Sequence, residues 1–251
     1  RINPHFELSK SGLKMGGGAK QFGVDSERLP ALLHKYCDDQ RVHIRGVHIY
    51  AGSQNLSGDD IIATFEKIIA YAIELTRTTA IEMDILNLGG GFGIPYFAMD
   101  DELDIEAVGA GIISLLEKYR KSLPHTLFKI ELGRYLIGPC GIYAAKVLYR
   151  KISRDQVFII IDGGMHQHLA ASGNMGQRLV HRPMPMTIAT AMDKPLEKVN
   201  VVGPLCTPLD TFGMNVELPH AEEGDILVVF NSGAYGFSAS PLRFLSHEEP
   251  G

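Results

Sequence analysis

The sequence of 251 residues has no tryptophan, only three cysteines and no excess of basic residues. Cys37, Cys140 and Cys206 lie far apart, so they show no metal-ligand spacing, and their odd number does not indicate a disulfide framework. No apolar run approaches the ~20 residues that a membrane-spanning helix needs. The net charge is −5 and the basic residues are scattered, which argues against a nucleic-acid-binding surface. We therefore expect a cytoplasmic protein without a signal peptide and without membrane or nucleic-acid partners.

Two halves of the chain differ in their periodicity. Up to about Ile137, strand-like runs alternate with amphipathic helices, a pattern typical of parallel strands joined by helical crossovers. Here we predict strands over residues 45–50, 85–88 and 127–131 and helices over 59–78 and 105–121, the first helix capped by Ser57. After Gly138 the predicted elements are strands, over residues 142–149, 157–161, 199–202 and 226–230. The sequence thus predicts an α/β region followed by a mostly β domain.

Polar side chains are concentrated where the predicted strands end. In a parallel (β/α) barrel, the rim at the carboxyl ends of the strands is where ligands bind. The residues at or just past such ends are His48, Tyr50, Ser53, Asn87, Glu131, Arg134 and Asp162.

Two motifs of the first half are suited to an anionic, flat ligand. Gly89, Gly90 and Gly91 follow a buried strand, and consecutive glycines let backbone N–H groups approach an anion closely. A tight turn is the alternative interpretation. Glu131 could keep a pyridine nitrogen protonated, and Arg134 could hold a phosphate or carboxylate. A structural ion pair is the alternative for these two.

Three features of the second half carry further candidates. Cys206 lies in a loop, where its thiol could donate a proton to a carbanion, although a buried and inert cysteine is the alternative. Tyr235 lies in a turn of small residues and could cover a flat ligand or simply pack. His166 and His168 would share one face of a strand, but no third ligand stands at a recognised spacing. We therefore predict no metal site.

Taken in order, these motifs resemble the fold type III (alanine-racemase-like) decarboxylases that use pyridoxal 5′-phosphate (PLP), the superfamily of diaminopimelate and ornithine decarboxylases. The carrying motifs are Gly46–Gln54, Gly89–Gly93, Glu131–Arg134, Gly203–Cys206 and Gly233–Tyr235. The sequence is most similar to a branch that includes the glutamyl-acyl-carrier-protein decarboxylase of butirosin biosynthesis and exosortase-associated decarboxylase-like proteins. That closer match rests on Lys14–Gly17, Gln21–Gly23, Asp162–His166, Gly203–Pro208 and Phe244–His247.

The resemblance implies a fold and a role for each candidate residue. Residues 1–138 would be the C-terminal portion of a PLP-binding (β/α)8 barrel, and residues 139–251 a β-rich sandwich or barrel domain that contributes to an active site shared within a homodimer. The implied catalytic residues are Cys206, which would reprotonate the substrate carbon after CO2 leaves, and Glu131, which would pair with the pyridine nitrogen. The implied cofactor-binding residues are Tyr50, Ser53, Gly89, Gly90, Gly91, Glu131, Arg134 and Tyr235. The implied substrate-binding residues are His48, Arg134, Asp162, His166, Thr207 and Asp210.

Three departures from the family pattern shape the expectations. The cofactor lysine of the family lies before the segment that matches Arg1, and Lys20 is a poor substitute, so we expect a chain that lacks this lysine and is inactive by itself. Tyr50 stands where the family usually has a histidine that stacks on the ring. Thr207 replaces the Asp or Glu that holds a distal ammonium, so ornithine, lysine and diaminopimelate should be poor substrates, unless Asp162 supplies a carboxylate.

The resulting interpretation is PLP-dependent decarboxylation of an L-amino acid or amino-acyl group, presented free or on an acyl-carrier protein. Three alternatives remain open: a decarboxylase of the diaminopimelate or ornithine type, an amino-acid racemase of the same fold, and a non-catalytic truncated homologue that binds or scaffolds a partner. The cysteine in the loop from Gly203 to Asp210 favours decarboxylation over racemisation.

Overall fold

The computed structural model describes residues 1–6, 13–14, 17–36, 38–79, 81–97, 99–173 and 182–251. Cys37 lies outside them, and so do Met15 and Gly16, two residues of the Lys14–Gly17 motif. The chain divides into two compact units, Arg1–Pro95 with Asp101–Tyr135, and Tyr96–Asp100 with Leu136–Gly251. The boundary predicted from the sequence, between residues 138 and 139, lies just after this division.

The first unit alternates short strands with helices. Its strands are β1 (Ile2–Asn3), β2 (Leu13–Lys14), β3 (Val24–Asp25), β4 (Gly46–His48), β5 (Gly52–Ser53), β6 (Ile85–Gly90) and β7 (Leu127–Glu131). Its helices are α1 (Leu29–Tyr36), α2 (Gly58–Thr78) and α3 (Ile105–Tyr119), with a 3-10 turn at Ser26–Arg28. The alternation of strands and helices predicted from the sequence is confirmed.

Helices α2 and α3 begin where a polar side chain caps them. Ser57 Oγ accepts a hydrogen bond from the backbone N–H of Asp60 at 3.2 Å, as predicted. Asp104 Oδ1 does the same for Ala107 N–H at 2.9 Å. The apolar stripe of α2 packs into the core of the unit with buried residues of β4 and β6. The core residues on α2 are Ile61, Phe65, Ile68, Ile69, Ala72, Ile73 and Leu75.

Strands β4, β6 and β7 form a parallel sheet in the order β4-β6-β7. The register pairs His48 with Asn87 across β4 and β6, and Gly90 with Glu131 across β6 and β7. Because parallel strands end at the same edge of a sheet, the polar residues that follow each strand come together there. Two two-stranded sheets complete the unit, β1 parallel to β3 and β2 antiparallel to β5.

The second unit is mostly β structure, as predicted. Its elements are α4 (Arg134–Ile137, at the division), β8 (Tyr143–Ser153), β9 (Gln156–Ile161), β10 (Met186–Ile188), β11 (Leu196–Val202), β12 (Thr211–Pro219) and β13 (Ile226–Val229). Three 3-10 turns, at Gly138–Cys140, Phe237–Ala239 and Phe244–Ser246, accompany them. The six strands pair in the order β10-β13-β8-β9-β11-β12. Edge strands β10 and β12 approach within 8 Å between Cα atoms, so the sheet is nearly closed into a barrel around its apolar core.

Among the elements that were not predicted from the sequence are α1, β10 and β12. In β12, Gly213 and the left-handed Asn215 interrupt the alternation, and its pairing with β11 shifts register between Val199 and Val202. Helix α1 has only eight residues and contains Pro30 in its first turn. Short or bulged elements give weak periodic patterns, which explains the omissions.

Candidate active site

A cluster of three polar side chains is formed by His48 at the end of β4, Asn87 within β6 and Glu131 at the end of β7. Asn87 Nδ2 donates a hydrogen bond to Glu131 Oε1 at 2.8 Å. His48 Nε2 lies 3.5 Å from the other carboxylate oxygen, Glu131 Oε2. The Glu131 side chain is nevertheless 52% exposed, whereas that of His48 is 26% exposed. The carboxylate is therefore oriented by its neighbours and open to a ligand.

Burial is the main influence on the pKa of His48. Loss of hydration lowers the pKa of its imidazole, the nearby Glu131 carboxylate opposes that shift, and the charge of Arg1 adds to it. The neutral form of His48 is thus favoured beside the carboxylate, and its buried Nε2 has no hydrogen-bond partner among the described residues.

The glycine turn, Gly89–Gly91 at the end of β6, is required by close backbone contacts. Gly89 and Gly91 have φ values of +72° and +87°, in the region that favours glycine. A Cβ atom at Gly91 would lie 1.8 Å from the carbonyl oxygen of Gly52, and one at Gly89 would lie 2.6 Å from that of Ile49. The Gly91 carbonyl accepts a hydrogen bond from Asn55 N–H at 2.9 Å. These contacts account for the glycines structurally, and binding of an anion at the same segment stays a prediction.

Tyr50 and Ser53 lie next to this turn. The Tyr50 side chain comes within 3.2 Å of an added Cβ at Gly89, and the guanidinium of Arg1 lies 5.6 Å from the Tyr50 ring centroid. Ser53 is half-buried in β5, with its Cα 3.4 Å from an added Cβ at Gly91. Arg134 is half-buried at the start of α4. The structure thus brings Tyr50, Ser53 and the glycine turn together.

In the second unit, a buried carboxylate fixes the loop that carries the cysteine. Asp210 is 2% exposed, and its two oxygens accept hydrogen bonds from the backbone N–H groups of Met165 at 2.6 Å and Leu205 at 2.9 Å. Cys206 and Thr207, on the same loop, are exposed and half-buried. That Asp210 binds substrate stays a prediction, and in the structure its carboxylate is buried and engaged by the backbone.

Asp162 and His166 line a cleft of about 870 Å³ together with Gln167 and His247. Asp162 is exposed and accepts a hydrogen bond from Lys146 N–H at 2.8 Å. The imidazole of His166 is buried against the ring of His247, with centroids 4.8 Å apart, and burial lowers its pKa, an effect that His247 strengthens. The polar side chains that line this cleft are arranged in a way that suits a small polar ligand.

His166 and His168 lie in the turn region after β9 and not on a strand, where they would have shared one face. His168 Nδ1 accepts a hydrogen bond from Ala171 N–H at 3.2 Å, so the ring proton is on Nε2, 2.9 Å from Ser232 Oγ. Ser232 Oγ in turn donates to the carbonyl of Val229 at 3.0 Å. His168 therefore ties the turn to the loop after β13.

Tyr235 is partly exposed and has a φ of +60°, a strained conformation for a tyrosine. It belongs to the second unit and the glycine turn to the first. The prediction that both contact one phosphate therefore stays a prediction.

Two groups of contacts were missed by sequence reasoning. Asn87 was noted at a strand end, but its bridging role depends on the pairing of β6 with β7. His247 and Ser232 meet their histidine partners across long sequence separations. A signal for Asn87 was present, because an amide two residues before a left-handed glycine is placed to accept from the N–H of that glycine.

Two kinds of feature are absent from the described residues. No helix among them is long and apolar enough to cross a membrane. No group of three or more histidine, cysteine, aspartate or glutamate side chains in the described ranges could hold a metal ion.

Over residues 34–233, the chain matches the family described as pyridoxal-dependent decarboxylase, C-terminal sheet domain. It is 40% identical over 255 residues to the L-glutamyl-(BtrI acyl-carrier protein) decarboxylase of Niallia circulans, covering 100% of this chain and 59% of that protein. It is 30% identical over 242 residues to the diaminopimelate decarboxylase of Methanocaldococcus jannaschii, covering 95% of this chain and 53% of that protein.

Solved structures agree with the sequence matches. The crystal structure of the M. jannaschii diaminopimelate decarboxylase has a TM-score of 0.80 at 28% identity, with 92% of this chain and 52% of that chain covered. The Helicobacter pylori diaminopimelate decarboxylase complexed with L-lysine has a TM-score of 0.80 at 26% identity, with 95% and 57% covered. The chain thus spans between half and three fifths of the length of these relatives. The predicted fold is confirmed, and the match over residues 34–233 shows that this chain belongs to the pyridoxal-dependent decarboxylase family.

Proposed function

We propose that this chain forms part of a PLP-dependent decarboxylase acting on an amino acid or on an amino-acyl group held by a carrier protein. The family is pyridoxal-dependent, and a relative that is 40% identical over the whole chain is named for a glutamyl group on an acyl-carrier protein. The observation that carries the proposal is the Glu131 carboxylate, exposed at the end of β7, hydrogen-bonded by Asn87 and 3.5 Å from His48 Nε2.

The first unit fits a pyridoxal ring. Glu131 accepts one hydrogen bond from Asn87 and keeps lone pairs for a ring N–H, and a carboxylate beside a pyridine nitrogen favours its protonated form. The chemistry supplied by bound PLP is an electron sink for the carbon that loses CO2. In this proposal Glu131 holds the proton on the ring nitrogen and Tyr50 covers the ring face. The phosphate is held by Ser53, Gly89, Gly90, Gly91, Arg134 and Tyr235.

The second unit supplies the acid and the substrate contacts in this proposal. The exposed thiol of Cys206 donates a proton to the substrate carbon after CO2 leaves, and the carboxylate of Asp210 supports the proposal by fixing the loop that carries the thiol. The residues proposed to contact the substrate are His48, Arg134, Asp162, His166 and Thr207.

The residues proposed above do not include the lysine that binds the cofactor in this family. No lysine among the 251 matches its place in the family, so we propose that it comes from outside these residues and that the chain alone does not turn over substrate. We also propose a homodimer in which Cys206 enters the site of the partner subunit. Sedimentation of the complete protein tests the dimer, and a monomer with full activity would contradict it.

Cofactor binding tests the central claim without needing the lysine. Pyridoxamine 5′-phosphate carries the ring and phosphate but forms no Schiff base with a lysine, so equilibrium dialysis with the 251-residue chain measures the site directly. We expect Glu131→Gln to weaken binding by about tenfold or more, since a charge-assisted hydrogen bond is lost. Glu117→Gln, at an exposed position of α3, is the matched control. Absence of binding by the unaltered chain would contradict the cofactor proposal, and equal binding by Glu131→Gln would contradict the role of Glu131.

A decarboxylase of the diaminopimelate type is the second candidate. It is favoured by the TM-score of 0.80 to two diaminopimelate decarboxylases, one of them complexed with L-lysine. Release of CO2 from free diaminopimelate, and from a glutamyl group on a carrier protein, separates the two candidates in the complete protein. Binding of pyridoxamine 5′-phosphate without CO2 release from any amino-acid substrate would support the non-catalytic alternative.

A further inference from the structure

Asn87 contacts two parts of the proposed cofactor site through the two ends of its side-chain amide. Nδ2 donates a hydrogen bond to Glu131 Oε1 at 2.8 Å, and Oδ1 accepts one from the backbone N–H of Gly89 at 2.9 Å. Each end of the amide is identified by its partner, because a backbone N–H only donates and a carboxylate only accepts. One short planar group therefore joins the glycine turn to the carboxylate of the next strand.

The backbone ladder between β6 and β7 is interrupted beside these two parts. The pairing of β6 with β7 is regular from Ile85 to Asn87 and shifts register before Gly90, which lies opposite Glu131. Gly89, inside the shift, has a φ of +72° and directs its N–H to the Asn87 side chain. Asn87 thus stands where the ladder is interrupted, and its side chain adds a link across the interruption.

We propose that Asn87 is a positioning residue that keeps the Glu131 carboxylate and the Gly89–Gly91 turn in one arrangement. The proposal rests on the proposed function, in which the turn holds the phosphate and Glu131 faces the ring nitrogen of one cofactor molecule. The two ends of a rigid ligand then meet two protein groups whose spacing Asn87 sets. Aspartate at position 87 keeps the acceptor for Gly89 and replaces the donor with a like charge, whereas leucine loses both contacts at similar volume.

Hydrogen exchange in the ligand-free 251-residue chain tests the link itself. We expect the Gly89 amide to exchange about fivefold or more faster in Asn87→Leu, and to stay protected in Asn87→Asp, which keeps its acceptor. The Asn87 side-chain NH2 resonances should shift in Glu131→Gln, and this second measurement stands even if Asn87→Leu does not fold. Unchanged Gly89 exchange in Asn87→Leu, or unchanged NH2 resonances in Glu131→Gln, would overturn the proposal.

Binding of pyridoxamine 5′-phosphate tests the effect on the site. We expect Asn87→Asp to weaken binding by about tenfold. The same substitution should weaken binding less when Glu131 is already glutamine, because the two residues act as a unit. Asn200→Asp is the matched control, since Asn200 makes the same kind of amide bridge in the second unit, between Gln156 and the N–H of Asn215.

The outcomes separate this proposal from the proposed function. Additive losses in the double variant, or binding by Asn87→Asp equal to that of the unaltered chain while Glu131→Gln is weakened, would overturn the role of Asn87 alone. Absence of binding by the unaltered chain would overturn the proposed function, and with it the role of Asn87 in cofactor placement.

Discussion

Gly90 lies opposite Glu131 in the ladder between β6 and β7, and a Cβ atom added to it would lie 1.6 Å from the Glu131 carbonyl oxygen. We therefore expect Gly90→Ala to lower the free energy of unfolding by about 2 kcal/mol or more, since backbone atoms rather than a flexible side chain would have to move. Urea denaturation followed by circular dichroism measures this change.

Gly109→Ala is the control for that substitution. Gly109 lies within α3, and a Cβ atom there meets nothing within 4 Å. Alanine at a helix interior is favoured over glycine by about 1 kcal/mol, so this variant should be more stable than the unaltered chain. Equal effects of the two alanines would contradict the steric explanation for Gly90.

Thr207 decides the expected substrate preference. A distal ammonium placed near an uncharged threonine loses hydration without gaining a carboxylate. We expect the complete protein to turn over ornithine, lysine and diaminopimelate poorly, and Thr207→Asp to raise their rate of CO2 release relative to other substrates. Thr207→Val, which has similar volume and no charge, should not raise it. Efficient turnover of any of the three by the unaltered protein would contradict this expectation.

Residue types were easier to read from the sequence than residue environments. Glu131 and Cys206 were singled out from their motifs, and both side chains are exposed in the structure. Asp210 looked equally suited to a ligand, yet its carboxylate is buried against the backbone of Met165 and Leu205. The difference is one of burial, which depends on residues far apart in the sequence.

At the scale of single elements, α2 was predicted closely and the turn after β9 was not. Helix α2 follows from an apolar period and a local cap, both readable in a short window. The turn from Gly163 to Gly173 is held instead by non-local contacts, among them His168 with Ser232 and Tyr143 with Gln167. Burial raises the pKa of Tyr143, so its hydroxyl keeps the proton that it donates to Gln167.

Because His168 is buried in this turn, we expect the stability of the chain to depend on pH. Burial lowers the pKa of His168 from 6.5 to about 4. Between these values the unfolded chain binds a proton that the folded chain does not, so the free energy of unfolding should fall as the pH falls from 6.5 to 4 and be level above 6.5. The loss from His168 over the whole window is about 3 kcal/mol. Denaturant unfolding at a series of pH values measures it.

His168→Gln should flatten this dependence, while His125→Gln, at an exposed position, should leave it as it was. Part of the slope should remain, because burial also lowers the pKa values of His48 and His166. A slope unchanged by His168→Gln would show that other groups control the acid sensitivity.

At the scale of the whole molecule, the parallel sheet has an open edge at β7. Within the described residues, β7 pairs with β6 on one side and with no strand on the other. Leu127 and Ile130 on this strand are exposed. Unpaired strand edges with apolar side chains are templates for pairing with further strands.

We therefore expect the 251-residue chain to self-associate with rising concentration, and Ile130→Lys to reduce that association by adding a charge at the edge. Sedimentation velocity over a range of concentrations measures it. Ile113→Lys, which places the same change at an exposed position of α3, is the control. Equal reduction by both variants would indicate general apolar exposure rather than the strand edge.

Local patterns in the sequence determined the α/β region, the β domain after it and the family motifs in their order. Helical periods, caps and glycine runs act over a few residues, so they can be read without knowing what packs against them. The motifs around Glu131, Cys206 and Thr207 likewise carried the predicted chemistry, since residue type limits what each group can do.

Only the tertiary structure decided which of those groups meet. The pairing of β6 with β7 placed Asn87 between the glycine turn and Glu131, and burial turned Asp210 into a support for the loop of Cys206. Strand register and burial are set by contacts between distant segments, which no local pattern encodes. The sequence therefore determined which groups are available for the chemistry, and the fold determined which of them are held together.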